Sequence, residues 1–598
     1  MLRPVLFLFL FCLTPAFADE APLVNRLAAH PSPYLAQHGD DPVAWQEWNA
    51  DTLARARREH KPLLVSLGYF ACHWCHVMQR ESWRDPAIAA LLNRDFIPVK
   101  VDRELNQALD ADLIEFGRRL QGISGWPLNV FVTPEGYPFY AVLYQPADRF
   151  RLVADKLARH WKADSAGIEA AARAAAPVQE GAAARPRAAD AGDLANRRQR
   201  LLDAALAAAG PLQGGFGAVS KFPETPLLRA LLDLQARAPD PRLGDFLRLT
   251  LDNMARLGLH DPIHGGFFRY TTDPDWHTPH FEKMLYDNAQ LAVLYARAAT
   301  VFGQPAYRDI AHATLDFLLE VLAAPSGGLR ASASALDRRG CEGGAYLWRP
   351  DELRQRLTPA QFRLVSRVWG LDAASAFDLG HLPMQRRPPA ASERALLDTA
   401  HARLKRVGRM REVPLDGKLN AGLNGLALSA FSLAGRGVPR FEAAAARLRD
   451  FIANDLMRDG ALLKSRVGPE VFEDAELDDY ALVARGLLDY AAAFDDAGSR
   501  TLARQLTRLA WGLFFSDAGW RREHRPLLAT ASIQAALPDE ATPSASATLI
   551  GVSLDLHDAA PAALLDRALA HATRSALADP LSHPGTLALL RQRFPTTP

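Results

Sequence analysis

Cysteine is scarce in this chain: there are four among 598 residues, Cys12, Cys72, Cys75 and Cys341. So few thiols exclude a disulfide-dense scaffold. The absence of a second Cys-x-x-Cys pair removes the four-thiolate set of a structural zinc site. Net charge is nearly absent as well: 69 basic against 68 acidic residues leave +1. That balance fits neither a nucleic-acid binder nor a disordered polar chain. After the first 18 residues no apolar run reaches the roughly 18 positions that a membrane span needs. What the chain does have is apolar material, 49% of its residues. At this length, three to five domain-sized units are expected, or fewer if one large helical barrel takes most of the chain.

The first 18 residues read as a secretory signal. Arg3 supplies the charge, Val5 to Leu13 the apolar stretch, and Ala16-Phe17-Ala18 a small-x-small site with cleavage after Ala18. The expectation is a soluble periplasmic or secreted protein, free of the membrane once cleaved. Export would leave Cys72, Cys75 and the odd Cys341, the last read as a buried small hydrophobe or as a free or partner thiol.

Cys72-His73-Trp74-Cys75-His76 carries the most chemical information. An apolar run, Pro62 to Leu67, precedes it, and the helix-like Val77 to Ser82 follows. A thiol placed where a strand turns into a helix meets unpaired N–H groups and the positive end of the helix dipole, which lower its pKa. The pattern reads as a redox pair. Three rivals stand beside it: c-type haem attachment, which uses Cys-x-x-Cys-His; a metal held with His73 or His76; and an inert structural disulfide. Pro127, in Gly125-Trp126-Pro127-Leu128-Asn129-Val130-Phe131-Val132, lies 52 residues after Cys75. The arrangement resembles thioredoxin folds, in which a cis-proline at about this remove faces the disulfide, and a cis bond is what that resemblance implies. The redox reading calls for no cofactor.

Strands alternating with helices make residues 25–163 an α/β, thioredoxin-like unit. Helices are expected over Trp45 to His60 and Arg149 to Lys162, with a strand over Phe96 to Val101. Residues 164–192, Ala-rich with scattered Pro and Gly, read as a linker. From 193 to 598 apolar positions recur at helical spacing in some twelve to fourteen segments. Glycine turns such as Gly214-Gly215-Phe216, Gly265-Gly266-Phe267 and Gly327-Gly328-Leu329 punctuate them. The successive intervals are 51, 62, 132 and 59 residues, the third counted as about two units. A repeat of one hairpin per 50–66 residues fits six hairpins closed into an (α/α)6 toroid.

Several further runs resemble one known family. They include Ser32-Pro33-Tyr34-Leu35, Gln37-His38, Cys72 to Met78, Val101-Asp102-Arg103-Glu104, Gly125-Trp126-Pro127 and Lys221-Phe222-Pro223. The longest is Pro279-His280-Phe281-Glu282-Lys283-Met284-Leu285-Tyr286-Asp287-Asn288. Together they are similar to the spermatogenesis-associated protein 20 family over nearly all of the chain after residue 18. The resemblance implies a thioredoxin-like domain joined to a six-hairpin toroid like those of sugar epimerases and other carbohydrate-active enzymes. The chain departs from the family at Leu105-Asn106-Gln107-Ala108 and Ser334-Ala335-Leu336, and in part at Asp416-Gly417-Lys418 and Leu423-Asn424-Gly425. Polar residues expected around the toroid mouth are apolar or small there.

The chemistry expected of the first domain is thiol–disulfide exchange with protein thiols or disulfides. Cys72 is the nucleophile, helped by a protonated His73; Cys75 resolves, Pro127 shapes the groove and Trp126 adds an apolar contact. The acid that thioredoxins place six residues before the first thiol is Ser66 here. A pair more oxidising than thioredoxin's roughly −270 mV is therefore expected. In the second domain Asp261, His264, Trp276, His277, His280, Glu282 and Asp287 gather within 27 residues. Trp276, His280, Glu282 and Asp287 are the candidate binding set for a sugar or glycan, with the carboxylates as acid and base. Lys283 and Asp287 would form an i, i+4 pair. A toroid that processes or binds carbohydrate, with a structural or regulatory dithiol, is the alternative function; a non-enzymatic chaperone or scaffold is a second.

Overall fold

The computed structural model describes residues 22–177, 191–408 and 413–593. The signal-like segment 1–18, with Cys12, lies outside the described residues.

Four strands build the first domain: β1 (Leu63–Gly68), β2 (Ile97–Asp102), β3 (Leu128–Val132) and β4 (Pro138–Val142). Their order is β2-β1-β3-β4, with β1 parallel to β2 and antiparallel to β3. β1, β2 and β3 are buried along their whole length. They are mostly apolar because both faces of the sheet are covered, with Ser66, Lys100, Asp102 and Asn129 as the buried polar exceptions. Leu63, Val65 and Leu67 point to one face with Leu53 and Leu113, while Leu64 and Phe131 point to the other with Trp83 and Phe150.

Helix bounds differ from the expectations where a side chain caps the backbone. The first long helix is Ala50–Glu59 rather than starting at Trp45, because Asn49 accepts from Thr52 N at 2.9 Å. The last helix does not stop near Lys162 but runs Ala147–Ala174, broken only at Asp164. There the carboxylate accepts from Gly167 N at 2.8 Å and starts the helix again. The first part of the expected linker is thus helical; 178–190 lie outside the described residues.

The second domain is a closed ring. Its inner helices are Thr225–Arg237, Leu285–Phe302, Ala421–Ala434, Leu477–Phe494, Ala545–Leu556 and Pro584–Arg593. Each packs on the next, and the last packs on the first. The intervening helices, Ala191–Ala208, Pro241–Arg256, Pro305–Phe317, Pro439–Asp455, Ala497–Phe514 and Ala562–Ala578, form the outer layer. This is the (α/α)6 toroid. The 132-residue interval is not two ring units, as the spacing implied. It holds an insertion of three helices, Pro350–Arg356, Pro359–Trp369 and Arg394–Gly408, with a core of their own around Trp348, Trp369 and Leu404.

The thioredoxin-like domain sits over the end of the ring where the inner helices begin. Lys418 Nζ reaches Asp102 at 2.6 Å and Glu104 at 3.1 Å, as well as Asp416 at 2.7 Å. Lys464 Nζ donates to Gln107 at 3.0 Å, and Ser532 Oγ to Asp112 at 2.6 Å. Leu528, from the toroid, completes the apolar face of the sheet.

Candidate active site

β1 ends at Gly68, and Tyr69-Phe70-Ala71 turns the chain into the helix His73–Met78. Cys72 is its N-cap: the backbone is extended there, and Sγ accepts from Cys75 N at 3.2 Å. Cys72 and Cys75 are joined in a disulfide. The Trp126–Pro127 bond is cis, as the thioredoxin resemblance implied. Cys72 is only 3% exposed and Cys75 2%, whereas Trp74 between them is 40% exposed. The pair is thus buried.

Residues of the second domain pack on those that flank it. The His73 ring stacks on His280 with centroids 5.5 Å apart. Glu342 lies against both: Oε1 accepts from His280 Nδ1 at 2.6 Å, and Oε2 is 3.1 Å from His73 Nδ1 without hydrogen-bond alignment. Tyr69 Oη donates to Glu282 Oε2 at 2.7 Å, and Ala335 N donates to Ala71 O at 3.4 Å. Trp126 packs edge-on to Tyr69, donates to Asp110 at 2.7 Å and lies under the Arg103 guanidinium at 4.1 Å.

Electrostatics revise one expected role. Burial lowers the His73 pKa despite the nearby Glu342 carboxylate, so the ring is neutral at neutral pH and supplies no cation to Cys72. His76 is pushed down to about 4 by burial and bonds through Nε2 to Phe70 O at 2.9 Å, fixing the turn. For His280 burial opposes the charge, but the hydrogen bond and charge of Glu342 prevail and its pKa is raised. Glu282 is raised by burial. Asp287 is raised by burial to about 7, although Arg269 approaches it at 3.2 Å.

The structure therefore brings Cys72, Cys75, His73, His280 and Glu282 to one interface, and reaches Asp287 through Arg269. It does not bring Trp276 there. That ring is fully buried, donates from Nε1 to Gln213 O at 3.0 Å and packs on Gly215, so it offers no face to a sugar. Lys283 pairs not with Asp287 but with Asp261, at 2.8 Å, because it lies on a two-residue strand before the helix. His264 also bonds Asp261, at 3.1 Å, so both acidic and basic members of that group hold a loop. His277 engages Asp273 through its backbone N at 3.0 Å. Cys341 is free and half-buried, not buried. Tyr69 and Glu342 escaped the sequence reading. Tyr69 stands three positions before Cys72, a usable signal; Glu342 lies in an irregular segment and gave none.

Fold and site together define a class: a thioredoxin-like domain whose disulfide is docked on an (α/α)6 toroid. A family described as a protein of unknown function, DUF255 (Thioredox_DsbH), matches residues 24–178. Human spermatogenesis-associated protein 20 is 30% identical over 564 residues, covering 83% of this chain and 70% of the relative. The chain belongs to the spermatogenesis-associated protein 20 family. Among solved structures, a D-mannose isomerase aligns over 68% of this chain and 88% of its own, at 10% identity and TM-score 0.41. A structure named DsbH oxidoreductase aligns over 19% of this chain and 83% of its own, at 21% identity and TM-score 0.16.

Proposed function

We propose that this protein performs thiol–disulfide exchange through Cys72 and Cys75 in an exported compartment, with the toroid as the body on which the redox domain and its partner dock. The carrying observation is Cys72 at the N-cap of its helix, disulfide-bonded to Cys75. An N-capping sulfur faces unpaired N–H groups that stabilise it as a thiolate. In the reducing direction the Cys72 thiolate attacks a substrate disulfide and one substrate thiolate leaves. The Cys75 thiolate then attacks Cys72, the mixed disulfide breaks, and the second substrate thiolate leaves with its electron pair. The oxidising direction reverses each step.

The carbohydrate alternative gains no support from the candidate residues. Trp276 is buried, and Glu282 and Asp287 are engaged by Tyr69 and Arg269. Equilibrating the full chain across glutathione buffers, with alkylation and mass spectrometry as the readout, tests the exchange reading. A reversible Cys72–Cys75 midpoint above about −300 mV is expected; one below it marks a structural disulfide and overturns the proposal.

A further inference from the structure

Tyr34 belongs to a motif, Ser32-Pro33-Tyr34-Leu35, that the exchange chemistry leaves unexplained. Ser32 Oγ donates to Asp102 Oδ2 at 2.6 Å and accepts from Leu35 N at 3.3 Å. The residue thus caps the single turn Pro33–Ala36 and ties it to the end of β2. Asp102 is the register partner of Gly68 at the end of β1. The tie therefore holds Tyr34 against the last residue of the strand that leads to the thiols.

Gly68 shows how close the approach is. A Cβ there would lie 2.2 Å from Tyr34 Oη and 2.8 Å from Cys75 Sγ, so hydroxyl and sulfur are at most about 5 Å apart. Gly68 is not among the glycines with positive φ, so the close approach, not backbone conformation, requires glycine. Tyr34 is 1% exposed, and its hydroxyl has no hydrogen-bond partner among the described residues. A buried unpaired hydroxyl costs about 1–3 kcal/mol. A disulfide sulfur is a weak acceptor; a thiolate carries a full charge and is a strong one.

We propose that Tyr34 Oη donates a hydrogen bond to the Cys75 thiolate in the reduced protein, stabilising the resolving nucleophile where the chain has Ser66 in place of an acid. The inference rests on the exchange reading. In the resolving step Cys75 gives its proton to solvent and its thiolate forms the bond to Cys72, while the substrate leaves as a thiolate. Tyr34 keeps its proton throughout. Burial, Asp102 and Asp41 hold its pKa well above the ordinary tyrosine value, so it is a donor and not a base. The other groups facing it are Lys418, which opposes that rise, Lys100, 5.4 Å from the ring centroid, and His38, edge-on at 5.2 Å. Burial lowers Lys100 to about 7 and His38 to about 3. His76, on the helix of Cys75, is neutral near pH 7.

The test titrates Cys75 alone, by thiolate absorbance in the full chain carrying Cys12→Ser, Cys72→Ser and Cys341→Ser. Adding Tyr34→Phe is expected to lower Cys75 acidity about tenfold, one pH unit in the midpoint. In the chain with its dithiol intact, Tyr34→Phe shifts the glutathione midpoint about 30 mV more negative, the same tenfold converted. Its melting temperature stays equal or rises, because the lost hydroxyl had no partner. An unmoved Cys75 pKa overturns the inference, and with a lowered melting temperature it marks a merely structural tyrosine. A wild-type dithiol inert to glutathione overturns the exchange reading instead, while the single-thiol titration still reports on Tyr34.

Discussion

Lys100 shows what burial does to a single cation. Its Nζ donates to Ser66 Oγ at 3.0 Å and lies over the rings of Tyr34, Trp45 and Trp83, with burial lowering its pKa to about 7. The unfolded chain holds this proton up to about pH 10.4. Between pH 7 and 10 the unfolded state therefore binds more protons, and stability rises with pH. Urea unfolding at pH 7, 8 and 9 is expected to show Lys100→Met removing a rise of up to about 1.4 kcal/mol per pH unit. It is also expected to make the protein more stable at pH 7. Parallel curves for the two proteins would mean that Lys100 keeps its proton in the folded protein as it does in the unfolded one.

At the scale of elements, the toroid repeats one device. Asn288, near the start of an inner helix, accepts from Phe267 N at 2.6 Å and donates to Phe267 O at 3.1 Å and Met284 O at 2.8 Å. Asn424 does the same for Leu329 at 2.7 and 3.1 Å, and for Asn420 O at 2.8 Å. Each asparagine pins the residue after a glycine pair to the helix. Gly266 and Gly328 are needed beneath because a Cβ would meet Phe317 or Phe451 at 2.6 Å. Asn288→Ala leaves the buried Phe267 N–H and C=O without this partner, at about 1–3 kcal/mol each. The expected outcome is a lower urea midpoint with the glutathione midpoint of Cys72–Cys75 unchanged.

At the scale of the whole molecule, ion pairs and hydrogen bonds across the interface tie the two domains together. Lys418 contacts Asp102, Glu104 and Asp416, all buried. Lys418→Met strands these carboxylates, a change expected to cost about 3–5 kcal/mol at pH 7. Thermal unfolding of both proteins at pH 7 checks it; an unchanged melting temperature would mean that these ion pairs carry no net stability. Glu342 is the smaller latch, bonding His280 and touching His73. Glu342→Ala is expected to speed reduction of Cys72–Cys75 by dithiothreitol several-fold, measured by quenched alkylation. An unchanged rate would mean that the disulfide is reached by another path.

The sequence by itself determined the two folds, the domain order and the dithiol. Each is written locally: short apolar runs between helices, period-3.6 apolar patterns, a thiol pair between strand and helix, and glycine turns at recurring intervals. Local patterns also misled where a distant contact decided the outcome. Trp276 looks like a stacking platform beside acids and histidines until the ring closes and its indole is buried on Gly215. Lys283 and Asp287 have helical spacing, yet a short strand at 283–284 sends Lys283 to Asp261. His73 carries no mark of its state; burial against His280 makes it neutral. Only the tertiary structure could bring Glu282 to Tyr69 across 213 residues, or Lys418 to Asp102 across 316. Hydrogen bonds and ion pairs act over a few ångströms, and contacts so remote in sequence leave no periodicity behind.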